Sequence, residues 1–174
     1  MMTPTEILRE EHRVILRALD LVETAAGPLA AGGGPAEAWW TDAVRLLRGF
    51  ADRNHHEKEE QLLFPALAQA GVPVEGGPVG VMLEEHVEGR ALIQALESGA
   101  GPARVEAARR YVRLLREHID KENGVLWPLA ESVLDAEAQR ALARQFEAVE
   151  AELGRDASIS HAEAEVERLA RALG

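Results

Sequence analysis

Two short segments of the sequence repeat one pattern of chemically capable side chains. In each, a histidine is followed four residues later by a glutamate and ten residues later by a proline that comes after an aromatic residue. The segments run from His55 to Pro65 and from His118 to Pro128. Residues four apart lie on one face of a helix, so each segment offers an imidazole and a carboxylate to one point. Two such pairs that face each other in a helical bundle can form a dinuclear metal centre.

The first segment leaves two registers open, because His56 adjoins His55 and Glu60 adjoins Glu59. Helical steps back from His55 reach apolar residues, whereas steps back from His56 reach charged residues that do not suit a buried seam. The spacing to the following aromatic residue and proline also aligns His55 and Glu59 with the second segment. We therefore predict that His55 and Glu59 point inward, with His56 and Glu60 as the alternative pair.

Two further histidines, His12 and His86, interrupt helical seams that are otherwise apolar or small. A single histidine on an apolar face is more often a core residue than a ligand. Four histidines and two glutamates in four such seams are harder to explain without a metal. The candidate ligands are His12, His55, Glu59, His86, His118 and Glu122, and the two glutamate seams are expected to continue through Leu62 and Val125.

Glycine- and proline-rich stretches separate the predicted helices that carry these residues. A first helix ends near residue 26, a second covers about 35–70, a third ends near 98 and a fourth begins at Pro102. Asp135 and Ser160 are expected to cap two more helices. The sequence predicts an all-α, up-down four-helix bundle over residues 1–134. Residues 135–174 are expected to form a helical extension packed on the bundle or at an oligomer interface.

The composition agrees with a helical fold and excludes several kinds of function. Apolar residues make up 47% of the 174 residues but aromatic residues only 4%, which suits helices rich in alanine and leucine. The chain has no cysteine, so disulfides, thiolate catalysis and cysteine-ligated clusters are excluded. A net charge of −11 argues against nucleic acid as a partner. Without a signal-peptide pattern or a long apolar run, we expect a cytoplasmic protein that does not enter a membrane.

Buried carboxylates supply the energetic argument for a metal. Two unpaired carboxylates in a core of leucine and valine would each cost several kcal/mol, against a total stability of about 5–15 kcal/mol. A bound cation removes that cost. Nitrogen and carboxylate ligands without thiolates suit iron, manganese or zinc, and two carboxylates among four imidazoles suit a pair of metal ions.

These motifs resemble the hemerythrin-like (HHE cation-binding) family over roughly residues 5–131. The resemblance rests on the order His, His-x-x-x-Glu, His, His-x-x-x-Glu and on the segments 55–65, 84–86, 118–123 and 126–128. It implies a non-haem di-iron centre with an oxo or hydroxo bridge. By this resemblance His12 and His55 would bind one iron, His86 and His118 the other, and Glu59 and Glu122 would bridge them; purified protein could also contain zinc or manganese.

The chain departs from the oxygen-carrying hemerythrins in two respects. Those proteins have a fifth histidine one turn from the third-helix ligand, where this chain has Met82 and Arg90, and an aspartate where it has Glu122. Its set of four histidines and two glutamates is closer to bacterial members such as the iron–sulfur-cluster repair di-iron proteins. With one nitrogen fewer, one or both irons are expected to keep an open position. The carboxylates that could fill it are those of Glu57, Glu60 and Glu85.

The function expected from the sequence is therefore a non-haem iron protein that binds, senses or processes a small oxidant, either dioxygen, peroxide or nitric oxide. The alternative is an iron- or oxygen-sensing or iron-handling module without turnover. A third hypothesis is a metal-free bundle in which the histidines and glutamates satisfy one another. A homo-oligomer is compatible with each of these.

Overall fold

The computed structural model describes residues 2–29 and 31–174, with the side chain of residue 156 left aside. The described residues are 86% helical and contain no strand, so the predicted all-α fold is confirmed. The single-segment helices are α1 (Pro4–Leu29), α3 (Pro78–Ser98), α5 (Ala136–Leu153) and α6 (Ile159–Arg171). A short 3₁₀ turn, Gly154–Ala157, links the last two.

The two helices that carry the repeated motif are each built from several consecutive segments. α2 covers residues 37–69 and α4 covers residues 101–133. The segments of α2 are Glu37–Leu46, Leu47–His56, Glu59–Leu63 and Phe64–Gln69, and those of α4 are Gly101–Lys121, Glu122–Leu126 and Trp127–Val133. Leu47–His56, Glu59–Leu63 and Glu122–Leu126 are π-helical.

The histidines and glutamates of the motifs divide the apolar core into two clusters. Along α1, core residues before His12 belong to one cluster and those after it to the other; along α2 the order is reversed, and it reverses again in α3 and in α4. The four helices therefore alternate in direction, as an up-down bundle requires. One cluster contains Leu8, Leu63, Met82 and Trp127, and the other contains Ile15, Leu47, Ile93 and Leu115.

The two C-terminal helices each cover one of these clusters. Leu142 and Phe146 of α5 pack with Leu8, and Val166 and Leu169 of α6 pack with the other cluster. The described part of the chain has no helix long and apolar enough to cross a membrane.

Helix boundaries differ from the predicted ones by a few residues, most clearly at the end of α1 and the start of α6. α1 continues through Gly27 and Pro28 to Leu29, because proline in the last turn loses only one backbone hydrogen bond. Asp135 caps α5 as predicted, accepting hydrogen bonds from the backbone N–H groups of the two residues that follow Ala136. α6 instead starts after Ser158 rather than Ser160.

Both short π-helical segments begin at the glutamate of the motif and end two residues before its proline. These prolines, Pro65 and Pro128, have no N–H to donate, and their rings push away the carbonyl one turn earlier. A wide turn before each proline accommodates the displaced carbonyls, and such turns occur frequently at functional sites.

The wide turns shift by one residue which side chains are buried after each glutamate. The predicted seams through Leu62 and Val125 are wrong, since Leu62 is half-buried and Val125 is 57% exposed. The next residues, Leu63 and Leu126, enter the core instead. The extra residue in the turn is the physical reason, because the prediction assumed regular α-helical steps.

Candidate metal centre

The six candidate ligands predicted from the sequence are all buried, and their ligand atoms converge in two groups. In each group the atoms lie within 4.8 Å of one another. The first group contains His12, His55, Glu59 and Glu122, and the second contains His56, Glu59, His86 and His118. Glu59 belongs to both groups, and only His56 was not among the predicted residues.

Each of the two central carboxylates lies between one histidine of the first group and one of the second. The Oε1 atom of Glu59 is 3.2 Å from His55 Nε2, and its Oε2 atom is 3.3 Å from His86 Nε2. The Oε2 atom of Glu122 is 3.1 Å from His12 Nε2, and its Oε1 atom is 3.4 Å from His118 Nε2. Each carboxylate thus directs one oxygen to a histidine of each group.

The sequence analysis gave His56 only as an alternative to His55, whereas the structure places both in the cluster. Neighbouring residues of an α-helix point about 100° apart, which led to the choice of His55 over His56. Both lie in the π-helical segment, where each turn holds more residues and neighbours diverge less. Both imidazoles are consequently buried. The adjacent pair of histidines was itself the sequence signal for a second inward imidazole. The charged residues Arg53 and Asp52, one turn earlier, argued against a buried position for His56.

The outer nitrogen of each predicted histidine has an acceptor. The Nδ1 atoms of His12, His55, His86 and His118 lie 3.1, 2.8, 2.7 and 2.9 Å from Asn123, Glu11, Glu60 and Glu85. Since these oxygens accept, each Nδ1–H donates, and each Nε2 is directed to the centre, where it is available to a cation. Metal-binding histidines are commonly held in this way.

The carboxylates considered for an open metal position lie elsewhere. Glu60 and Glu85 contact the outer nitrogens of His86 and His118, and Glu57 is exposed. They serve as orienting groups or surface charges rather than as inner groups of the cluster.

The inner atoms lack hydrogen-bond partners within the described part of the chain. Both oxygens of Glu59 and of Glu122 are buried without a donor, as are the Nε2 atoms of His12, His55 and His56. The remaining two, of His86 and His118, lie 3.2 Å apart, within hydrogen-bond distance of each other. Buried polar atoms are rarely left unpaired, so this donor set fits one or more cations.

Without a cation, the electrostatics of this layer depend on shared protons. Burial raises the pKa of Glu122 to about 8, and the charge of Glu59 adds to the rise. Burial lowers the pKa of His12 to about 3. Burial also lowers the pKa values of His55 and His86, but the nearby carboxylates, above all that of Glu59, outweigh this effect. The pKa values of His55 and His86 are therefore raised to about 10 and 9.

A small cavity reaches the second group from the surface. It has a volume of about 110 Å³, and His56, Tyr111, Gly89 and Ile93 are among its lining residues. Arg90 also lines it, paired with Asp52 and Glu60 at 2.8 Å each. The cavity has room for a molecule of a few atoms.

Fold and site together define a helical bundle with a buried histidine–carboxylate cluster suited to cations. The model of the hemerythrin HHE cation binding domain matches residues 3–130. The chain therefore belongs to the hemerythrin HHE cation-binding family, as its motifs predicted.

Curated relatives resemble parts of the chain. An uncharacterized protein of Mycobacterium tuberculosis, Rv1995, is 29% identical over 155 residues, which are 83% of this chain and 60% of the relative. The iron–sulfur cluster repair protein YtfE of Escherichia coli is 32% identical over 89 residues, which are 44% of this chain and 40% of YtfE. The chain thus spans less than two thirds of these relatives. No solved structure matches it significantly.

Proposed function

We propose that this protein holds two iron ions in the described layer and uses them to bind, sense or process a small oxidant such as dioxygen, peroxide or nitric oxide. The observation that supports the proposal is the pair of buried groups that share Glu59, with inward lone pairs and carboxylate oxygens that have no other partner among the described residues. Two carboxylates and five imidazoles in two groups offer more ligand atoms than a single cation would use, and they suit a pair of cations.

His56 changes the expectation of where an open position lies. The five-histidine set assigns three imidazoles to the second group and two, those of His12 and His55, to the first. The fifth nitrogen that oxygen-carrying hemerythrins take from the third helix would here come from α2. The first group would then keep an open position, and a small molecule in the cavity would have to pass His56 to reach it.

The chain's own residues would hold and shield the ions. Glu59 and Glu122 would bind both, and the outer acceptors would fix each ring and increase its basicity. Trp127 stacks against His12 with 6.0 Å between ring centroids and is fully buried, so it excludes water on that side. When bound, an iron pair supplies electrons and coordination positions for a small oxidant.

The name of YtfE states iron–sulfur cluster repair, and we do not extend that role to this chain. The match covers 44% of the chain, and this chain has no cysteine to receive a cluster or a persulfide. Our proposal is supported by two other findings: the name of YtfE refers to iron–sulfur clusters, and this chain belongs to the hemerythrin HHE cation-binding family.

Metal analysis of freshly purified protein, with its visible absorption spectrum, tests the proposal. We expect about two irons per chain, in accordance with a bridging pair of carboxylates, and ferric bands that bleach on reduction. No metal, or one zinc per chain after growth with ample iron, would contradict it. Repeated consumption of peroxide or nitric oxide by the reduced protein would indicate turnover, whereas a single colour change would favour the sensing or iron-handling alternative.

A further inference from the structure

A fully buried lysine lies directly behind the candidate metal centre. Lys58 precedes Glu59 in α2, and its side chain has no exposed surface. Its Nζ atom forms ion pairs with Glu11 of α1 and, at 2.8 Å, with Glu150 of α5. Lysine is among the residues least often fully buried, so its burial here calls for a specific partner and a specific use.

Glu11 connects this lysine to the metal site. It is fully buried and accepts hydrogen bonds from Lys58, from the amide of Asn54 at 2.8 Å and from His55 Nδ1 at 2.8 Å. Because His55 carries an inward lone pair of the first group, Glu11 is the group that sets how basic that imidazole is.

The C-terminal helix α5 completes the arrangement from outside the matched family domain. Glu150 lies at the surface end with 36% of its side chain exposed. Phe146, one turn earlier, is fully buried, and its ring lies 5.4 Å from Lys58 Nζ. The line Glu150, Lys58, Glu11, His55 therefore runs from the surface to the site with alternating charge.

We infer that Glu150, Lys58 and Glu11 act as positioning residues through which α5 tunes the electron donation of His55, and with it the reduction potential of the iron pair. This inference rests on the proposed function. Lys58 draws charge from Glu11 and so weakens its hydrogen bond to His55. Glu150 takes up part of the charge of Lys58 and so restores it.

The chain of charges predicts shifts of opposite sign for two substitutions. In Glu150→Gln the full charge of Lys58 acts on Glu11, the imidazole of His55 becomes a weaker donor to ferric iron, and the reduction potential rises. In Lys58→Met the charge of Glu11 is no longer balanced, the imidazole becomes a stronger donor, and the potential falls. Removing each charge also acts directly on the iron pair through the Coulomb interaction. This direct effect shifts the potential in the same direction as the effect through His55.

The experiment is a spectroelectrochemical titration of the iron-loaded full chain, compared among wild type, both variants and a control. The control is Glu152→Gln, which removes an exposed carboxylate of α5 that has no ion pair within the described residues. Its potential should equal that of wild type. Iron content and melting temperature are measured alongside, because Lys58→Met removes a buried partner and could prevent folding. If Lys58→Met does not fold, the potential of Glu150→Gln alone tests the inference, because the side chain of Glu150 is partly exposed.

The outcomes separate this inference from the proposed function. A wild-type protein that takes up no iron overturns both. An iron-loaded wild type whose potential is the same in Glu150→Gln overturns only the inference. A purely structural role for Lys58 and Glu150 would lower the melting temperature of both variants without shifts of opposite sign in the potential.

Discussion

The imidazoles of the candidate site differ in how firmly their outer nitrogens are held. Four of them have an acceptor at 2.7–3.1 Å, whereas the Nδ1 atom of His56 lies 3.5 Å from Asp52. That contact is too long for a strong hydrogen bond. His56 is thus the least restrained of the five and the one that lines the cavity.

At the residue scale, Glu59→Gln is expected to reduce iron content strongly. An amide cannot bridge two cations as a carboxylate does, and even residues outside the coordination sphere change metal affinity about 10–100-fold, so a larger loss is expected here. Iron and protein are quantified after gel filtration. The matched control is Glu57→Gln, an exposed neighbour, which should keep the wild-type content. Retention of two irons with an unchanged spectrum in Glu59→Gln would remove it from the ligand set.

Among the helices, α3 contributes one histidine to the site and has a glycine, which lacks a side chain, beside the cavity. Gly89 of α3 lies on the cavity wall. A Cβ atom built there would be 3.6 Å from Leu115 and 3.9 Å from Tyr111, which are ordinary contact distances. A side chain at this position can therefore be accommodated by the protein while it occupies the cavity.

At this scale, Gly89→Leu is expected to slow the binding of nitric oxide to the reduced, iron-loaded protein, with little change in iron content. The added side chain would fill a cavity of about 110 Å³. Replacing glycine within a helix also adds up to about 1 kcal/mol of helix propensity, so the variant should fold. Stopped-flow association rates give the measurement. Gly49→Leu, at a helical glycine whose Cβ would meet nothing within 4 Å, should bind like wild type. If Gly89→Leu and Gly49→Leu bind nitric oxide at equal rates, the ligand does not enter through this cavity.

In the whole molecule, the layer of buried histidines and glutamates between the two apolar clusters destabilises the fold unless protons or cations neutralise its charge. It separates the two apolar clusters and contains the carboxylates of Glu59 and Glu122, which have no exposed surface and no hydrogen-bond donor among the described residues. Burying charges without partners costs several kcal/mol, a large part of the stability of a domain. Stability and metal content should therefore be linked.

The pH dependence of thermal unfolding tests this linkage. Without metal, Glu122, His86 and His55 have raised pKa values of about 8, 9 and 10. Each binds a proton in the folded state that the unfolded chain releases at lower pH, so the stabilisation is lost between about pH 4.5 and 8 for Glu122 and between about 6.5 and 10 for the two histidines. All three groups therefore lower the stability as the pH rises from about 6.5 to 8, and the histidines continue to do so up to about 10. A cation takes the place of these protons.

We therefore expect the melting temperature of chelator-treated protein to fall over this range and that of metal-loaded protein to fall less. The measurement is circular dichroism during heating, at matched ionic strength. In the metal-free state Glu122→Gln should show a smaller decrease than wild type, because one of the titrating groups is gone. Parallel curves with and without metal would contradict the linkage and favour the metal-free bundle.

The sequence by itself determined the class of fold, the order of the helices and six of the seven residues that converge. Apolar seams with a period near 3.6, broken by glycine and proline, follow from local rules, and a motif that occurs twice marks its own chemistry. These signals need no knowledge of how the helices pack.

Only the tertiary structure decided the remaining features. The π-helical turns before Pro65 and Pro128 shift the buried face by one residue, which regular α-helical periodicity does not anticipate. A separate π-helical segment, Leu47–His56, brings His56 inward beside His55. The pairing of Lys58 with Glu11 and Glu150 joins residues from three helices far apart in sequence. Such contacts depend on packing, because a charged side chain enters the core only where a distant segment supplies the opposite charge.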